Sequence, residues 1–175
     1  MNAAQLRTQP VDETVLKSRK TNPITIMCDN VLDTYNVGSI FRLADAVSAE
    51  EVILCGGTET PPNSRIKKAS INTWQWVNWG YEKNPADAVM KWRDAHPHGK
   101  VYVVEQDTKS TPFQNVTYEY PCLVVVGNET TGVTKDVLDM AHVIVELPMW
   151  GVNTSLNVMV SCGIVLYEIM KNVKE

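Results

Sequence analysis

Five short runs of branched apolar residues, each followed at once by a turn signal, constrain this chain more than any other feature. They are Ile24–Cys28, Val52–Cys55, Val101–Val104, Leu123–Val126 and Val143–Leu147. Runs of this length, rich in Val and Ile, read as buried strands rather than helices. Helical spacing appears between them. In Ser39–Ala49 the apolar residues Ile40, Leu43, Ala44 and Val47 fall at i, i+3, i+4 and i+7, one stripe of a helix. Pro85–Ala95 opens on a proline, as a helix can. Val133–Ala141 is a third candidate, with Thr134 available as a cap. Strands alternating with helices predict an α/β fold: a mostly parallel sheet with helices on both faces.

In such sheets ligands sit beyond the carboxyl ends of the strands. Four loops there are rich in Gly, Asn, Thr or Ser: DNVLDTYNVGS after Cys28, EQDTKST after Val104, GNETTG after Val126 and PMWGVNTS after Leu147. All four are able to present backbone groups to a ligand. Residues 58–72 form a further long loop, of a length that is often functional. Trp74, Trp76 and Trp79 follow it, at a spacing expected for a half-buried strand.

Length and composition set the outer limits. The 175 residues suit one compact domain, with 23–175 as a single unit and 1–22 as a tail or short added helix. No apolar stretch is long enough to span a bilayer, and the N-terminus lacks the apolar core of a signal peptide, so a cytoplasmic protein is expected. Cys28, Cys55, Cys122 and Cys162 are widely spaced, which argues against zinc or a disulfide framework, and His96 and His98 read as a surface turn; no metal is expected. A net charge of −4 argues against a large nucleic-acid-coating surface but leaves room for local basic clusters. Two exist: Arg7, Lys17, Arg19 and Lys20 in the tail, and Arg65, Lys67 and Lys68 in the long loop. The last segment, Ser155–Lys171, is apolar on nearly every side. A helix of that kind requires cover both from its own domain and from a partner, which predicts a homodimer.

Three segments carry the chemistry. Asn36-Val-Gly-Ser-Ile-Phe-Arg42 lies at a strand-loop-helix junction. Arg42 falls about 200° around the helix from Ile40 and so projects away from the core, where an ion pair with Asp45 is the plainer reading. Gly127-Asn-Glu129-Thr-Thr-Gly132 follows a strand but lacks the Gly-Lys-Ser/Thr ending of a phosphate-binding P-loop and is not a GxGxxG fingerprint. Leu147-Pro-Met149-Trp-Gly-Val-Asn-Thr-Ser155-Leu156-Asn157-Val ends a strand and opens the last helix, with Ser155 or Asn153 able to cap it.

Taken together, in this order, the three segments resemble the signature of the SpoU (TrmH-like) RNA ribose 2′-O-methyltransferase family of the SPOUT class: Asn-x-Gly-x-x-x-Arg, Gly-x-Glu-x-x-Gly, and Pro-Met-x-Gly followed by Ser-Leu-Asn. The resemblance covers about residues 22–170. It implies an α/β fold with a deep C-terminal trefoil knot and a methyl donor, S-adenosylmethionine, that leaves as S-adenosylhomocysteine. It implies donor contacts at Val104, Gly127, Leu147, Met149, Ser155 and Leu156. Arg42 matches the family's essential arginine; Asn36, Glu129, Ser155 and Asn157 match positions tied to catalysis or to holding the site together. The implied site forms at a homodimer interface and acts on tRNA or rRNA. An extra RNA-binding domain or basic extension is common in the family, so the short tail and acidic balance here leave the RNA species open.

The implied chemistry is physically coherent. A methyl group on a sulfonium needs no metal; it needs an oxygen held in line and helped to lose its proton. A guanidinium is a poor base in water, so binding phosphate and stabilising developing alkoxide charge is the preferred role for Arg42. Two alternatives stand beside the enzyme: a non-catalytic RNA-binding or assembly protein that retains the fold, and a small-molecule or nucleotide-binding α/β module. Calorimetry with S-adenosylmethionine against NAD and ATP separates the last from the first.

Overall fold

In a computed structural model of the chain, Gln5, residues 11–171 and Val173 are described. The elements, in chain order, are α1 (Glu13–Ser18), β1 (Asn22–Asp29), α2 (Thr34–Ala46), β2 (Ala49–Cys55), α3 (Ser64–Ser70), β3 (Trp79–Glu82), α4 (Pro85–Ala95), β4 (Lys100–Val104), β5 (Thr111–Pro112), β6 (Cys122–Val126), α5 (Lys135–Leu138), β7 (Val143–Glu146) and α6 (Val158–Met170). The strands form one seven-stranded sheet in the order β3-β2-β1-β6-β4-β7-β5, with every pair parallel.

The five apolar runs are the five inner strands. Alternation along them feeds two cores, one on each face. Ile24, Ile26 and Cys28 of β1 join Val124 and Val126 of β6 under α2 and α6. Met27 joins Leu123, Val125, Val101 and Val103 under α4 and its Trp92. Both faces are covered, as a parallel sheet requires. The register brings Cys28 beside Val126, and Val104 beside both Val126 and Val145, so the carboxyl ends of β1, β6, β4 and β7 finish level. The chain reverses its direction of winding there, where such sheets open a crevice.

Several expectations are corrected. The long loop 58–72 contains helix α3, capped by Asn63 Oδ1, which accepts from Arg65 N at 2.9 Å. Burial of Ile66 and Ser70 against α2 stabilises a helix that its sequence barely signals. The Trp group is not one alternating strand. Trp74 lies in a 3-10 turn, Trp76 closes that turn, and only Trp79 enters a strand, β3. Helix α2 starts at Thr34, five residues before the predicted Ser39, because Asp33 Oδ1 caps it by accepting from Tyr35 N at 2.8 Å. Helix α5 is only four residues long and Thr134 makes no side-chain cap bond. The tail carries α1, and Arg19 of the tail donates to Trp76 O at 3.3 Å. Arg7 lies outside the described residues.

Candidate active site

The carboxyl ends of β4, β6 and β7 open onto a cavity of about 590 Å³, within the range of small-molecule sites. Val104, Gly127, Leu147, Met149, Ser155 and Leu156 all line it, as do Glu129 and Asn157. Arg42 and Asn36 do not, although Asn36 bonds to two residues that do. Three carboxylates, those of Glu105, Glu129 and Glu146, line the cavity, and among the described residues no Lys or Arg does. A cationic ligand is favoured over an anionic one in such a setting.

One hydrogen-bonded chain joins all three sequence segments. Asn157 Nδ2 donates to Asn36 Oδ1 at 3.0 Å, and Asn36 Nδ2 donates to Glu129 Oε1 at 2.9 Å. Glu129 also accepts from the backbone N–H of Leu32 at 3.1 Å and of Asp33 at 3.0 Å. Partial burial pushes the Glu129 carboxyl up, but these donors outweigh it and hold its pKa below the ordinary carboxylate value. Asn36 is nearly fully buried and its amide is oriented by both partners. Asn36 of the first motif therefore accepts from the last motif and donates to the middle one, joining all three.

The GNETTG loop is set by its own backbone needs. Asn128 and Gly132 exchange N–H···O bonds of 3.0 Å each, closing the loop. Asn128 Oδ1 accepts from Thr130 N at 2.8 Å and Thr131 N at 3.0 Å, while its Nδ2 donates to Asn30 O at 2.9 Å. Gly132 has φ +71°, a conformation that favours glycine. A Cβ on Gly127 would overlap the backbone of Gly132 and Val133. Gly127→Ala is therefore expected to cost about 1–3 kcal/mol of stability and to displace the cavity floor. A lower melting temperature together with at least a tenfold weaker cation-cofactor affinity, about 1.4 kcal/mol, checks this in calorimetry; wild-type values would contradict it.

Several residues that sequence reasoning missed support the loop from below. Glu105 Oε2 accepts from Val133 N at 2.9 Å, across Gly132. Asp29, fully buried at the end of β1, accepts from Thr134 N and Thr134 Oγ1, both at 2.8 Å, and from Asn30 Nδ2 at 2.8 Å. Each is the first polar residue after an apolar strand, a position that signals the strand's ligand-side end. Their loop partners lie 28 and 105 residues away, a pairing no local pattern reveals.

The last motif is more extended than expected. Residues 150–157 are exposed, Trp150 at 87% and Val152 at 102%. The cap of α6 is Asn157, whose Oδ1 accepts from Met159 N at 2.9 Å, and not Ser155 or Asn153. Asn153 instead accepts from Ser155 N at 3.3 Å within the loop. Of α6, Cys162, Val165, Leu166 and Ile169 are buried, while Val160 and Tyr167 are 39% and 57% exposed. Arg42 is exposed on α2 and makes no ion pair among the described residues. Asp45, its expected partner, is occupied by Trp76 Nε1 at 2.7 Å and by Arg19 at 4.0 Å. The cysteines are all buried and free, and burial raises their thiol pKa values, to about 12 for Cys55, Cys122 and Cys162. None is a nucleophile at neutral pH.

Comparison with known proteins agrees with this geometry. The SpoU rRNA Methylase family matches residues 23–167. A tRNA (guanosine(18)-2′-O)-methyltransferase of Aquifex aeolicus (strain VF5) is 29% identical over 167 residues, 92% of this chain and 74% of that protein. The protein of the same name from Escherichia coli (strain K12) is 29% identical over 86% of this chain and 64% of its own length. The fold is shared with an AdoMet-bound rRNA methyltransferase from Sinorhizobium meliloti, at a TM-score of 0.80 and 23% identity, over 97% of this chain and 61% of that one. The chain thus spans less than two thirds of the Escherichia and Sinorhizobium proteins. With 23–167 matched and the three motifs joined in one hydrogen-bonded site, the chain belongs to the SpoU rRNA methylase family.

Proposed function

We propose that the chain is an RNA methyltransferase that moves the methyl group of S-adenosylmethionine to a ribose 2′-hydroxyl of tRNA or rRNA. The observation that carries this reading is the cavity at the ends of β4, β6 and β7, lined by carboxylates and loop backbone and, among the described residues, by no cation. A sulfonium with an attached ammonium group suits that lining, and the relatives named above carry the matching activity in their names. When bound, the donor supplies an electrophilic methyl group. Its transfer to the ribose oxygen would break the C–S bond, leave S-adenosylhomocysteine and pass the hydroxyl proton to solvent, with no metal required. In this reading Val104, Gly127, Leu147, Met149, Ser155 and Leu156 hold the donor. Asn36, Glu129 and Asn157 fix the loops around it, and Arg42 binds phosphate and stabilises the developing alkoxide.

The same reading makes residues 23–175 one catalytic unit acting as a homodimer. Support comes from Leu156, Val160 and Tyr167, apolar side chains left exposed on and before α6, with Trp150 and Val152 on the adjoining loop. A guanidinium outside the cavity of its own chain also fits a site completed by a second copy. The family's knot is consistent with α6 lying against the 113–121 connection, where Tyr120 Oη donates to Ile169 O at 2.7 Å. Among the described residues no helix is long and apolar enough to cross a membrane; a cytoplasmic location fits the RNA substrate.

The test is nucleoside mass spectrometry. RNA from cells lacking the gene, incubated with the protein and methyl-deuterated S-adenosylmethionine, is expected to gain one labelled 2′-O-methyl nucleoside that is absent before incubation. Label on a base, or none in tRNA or rRNA, would overturn the reading.

A further inference from the structure

The segment joining β2 to β3 has no part in the site described above. Residues 60–77 contain no Asp or Glu but do contain Arg65, Lys67 and Lys68. All three side chains are exposed on α3, whose Ile66 and Ser70 are buried. The helix is fixed tightly to α2. A Cβ on Gly38 would lie 2.6 Å from Ala69 Cβ and 2.9 Å from Ile66 O, so the two backbones touch there. Farther along α2, Asp45 accepts from Trp76 Nε1 at 2.7 Å. Positions 38, 42 and 45 share one helix face by their i, i+4, i+7 spacing. Arg42 therefore emerges between these two contacts, beside the 66–76 segment.

The cations of this face stand together and unpaired. Lys17, Arg19, Lys91, Lys100, Lys135 and Lys171 each have a carboxylate partner. Arg42, Arg65, Lys67 and Lys68 have none among the described residues, in a chain of net charge −4. Lys20, Lys83, Arg93 and Lys109 also lack one among the described residues, Arg93 donating to Met140 O instead, but they stand far apart along the chain. An acidic protein that leaves four cations unneutralised along two touching helices presents a local anion-binding surface. Lys offers point charges and Arg a planar fork, both suited to phosphate oxygens and neither selective for a base.

We propose that the exposed face of α3, through Arg65, Lys67 and Lys68, grips backbone phosphates of the RNA strand next to the target ribose and so delivers its 2′-hydroxyl to Arg42. This rests on the reading of the chain as an RNA methyltransferase. It assigns substrate docking to the core fold itself, in a part of the chain remote in sequence from the three motifs.

The test compares wild type, the double variant Arg65→Glu/Lys68→Glu and the control Lys83→Glu, an exposed cation beyond β3. Methylation of RNA is measured across a salt series and donor affinity by calorimetry. The double variant is expected to bind S-adenosylmethionine as wild type does and to keep its turnover at saturating RNA. Its KM for RNA should rise about tenfold, and its log–log salt slope should fall by about 0.7–0.9 for each phosphate that is no longer neutralised. Lys83→Glu should match wild type. A KM and slope equal to those of Lys83→Glu, with wild type active, would overturn the docking surface alone. Wild type that methylates no RNA would overturn the underlying function and this surface with it.

Discussion

Replacing Arg42 by alanine should lower methyl transfer by a factor of about 10²–10³ or more, the usual cost of deleting a group that stabilises developing oxyanion charge. Donor affinity and melting temperature should stay at wild-type values. The separation of the two effects follows from position. Arg42 is exposed, makes no ion pair among the described residues and does not line the cavity of its own chain, so its removal should leave the fold and that cavity intact. Lysine at this position should rescue little, because a point charge does not reproduce the planar fork. Single-turnover rates alongside calorimetry check this. Retained turnover removes Arg42 from the mechanism, and weakened donor binding makes its role structural.

Glu129→Gln should damage stability and activity together. The substitution preserves shape but removes the charge that meets three donors: Asn36 Nδ2 and the N–H groups of Leu32 and Asp33. One end of the new amide must point N–H at N–H. The carboxylate is partly exposed to water, so a loss of about 1–2 kcal/mol is expected rather than the full cost of a buried charge. In the proposed mechanism the loops it joins position the donor and the ribose, so turnover should fall about 10²-fold. The pH dependence has a definite sign. The folded-state pKa of Glu129 lies below its ordinary value, so its stabilisation is present above the ordinary carboxylate range. It is lost as pH falls through the folded-state value. Wild type should therefore lose stability on acidification by more than Glu129→Gln does, and the two melting curves should converge at low pH. Parallel curves would show that the charge contributes nothing.

The inner sheet and its cavity were legible because buried parallel strands are apolar on both faces, a pattern that five runs state openly. The edge strands were not. Thr111–Pro112 is two residues long and Trp79–Glu82 only half-buried, so neither carries an apolar run. Helix α3 was hidden for a related reason: its stability comes from burial of Ile66 and Ser70 and from Gly38 on another helix, not from a stripe of its own. The six positions assigned to the donor come from the family resemblance alone, and the strand ends they follow explain why they share one cavity. Long-range anchors such as Asp29 on Thr134 and Glu105 on Val133 stayed invisible, since hydrogen bonds across 105 and 28 residues leave no local periodicity. The pairing of Arg42 with Asp45 failed because spacing alone cannot show that Trp76 and Arg19 reach Asp45 first.

In the proposed mechanism the donor lies in one copy of the chain and the guanidinium that serves it on another. Subunit mixing tests this directly. Arg42→Ala and Gly127→Ala chains, each expected to fall to about a tenth of wild-type activity or less when the donor is limiting, are combined in equal amounts under that condition and allowed to exchange. Half of the dimers then pair one variant with the other, and each mixed dimer holds one site with an intact cavity and a partner's Arg42. The predicted turnover is about a quarter of wild type, as expected for a twofold-symmetric pair. Turnover no higher than that of the two variants measured separately would contradict the shared site and put Arg42 to work, if anywhere, at the cavity of its own chain.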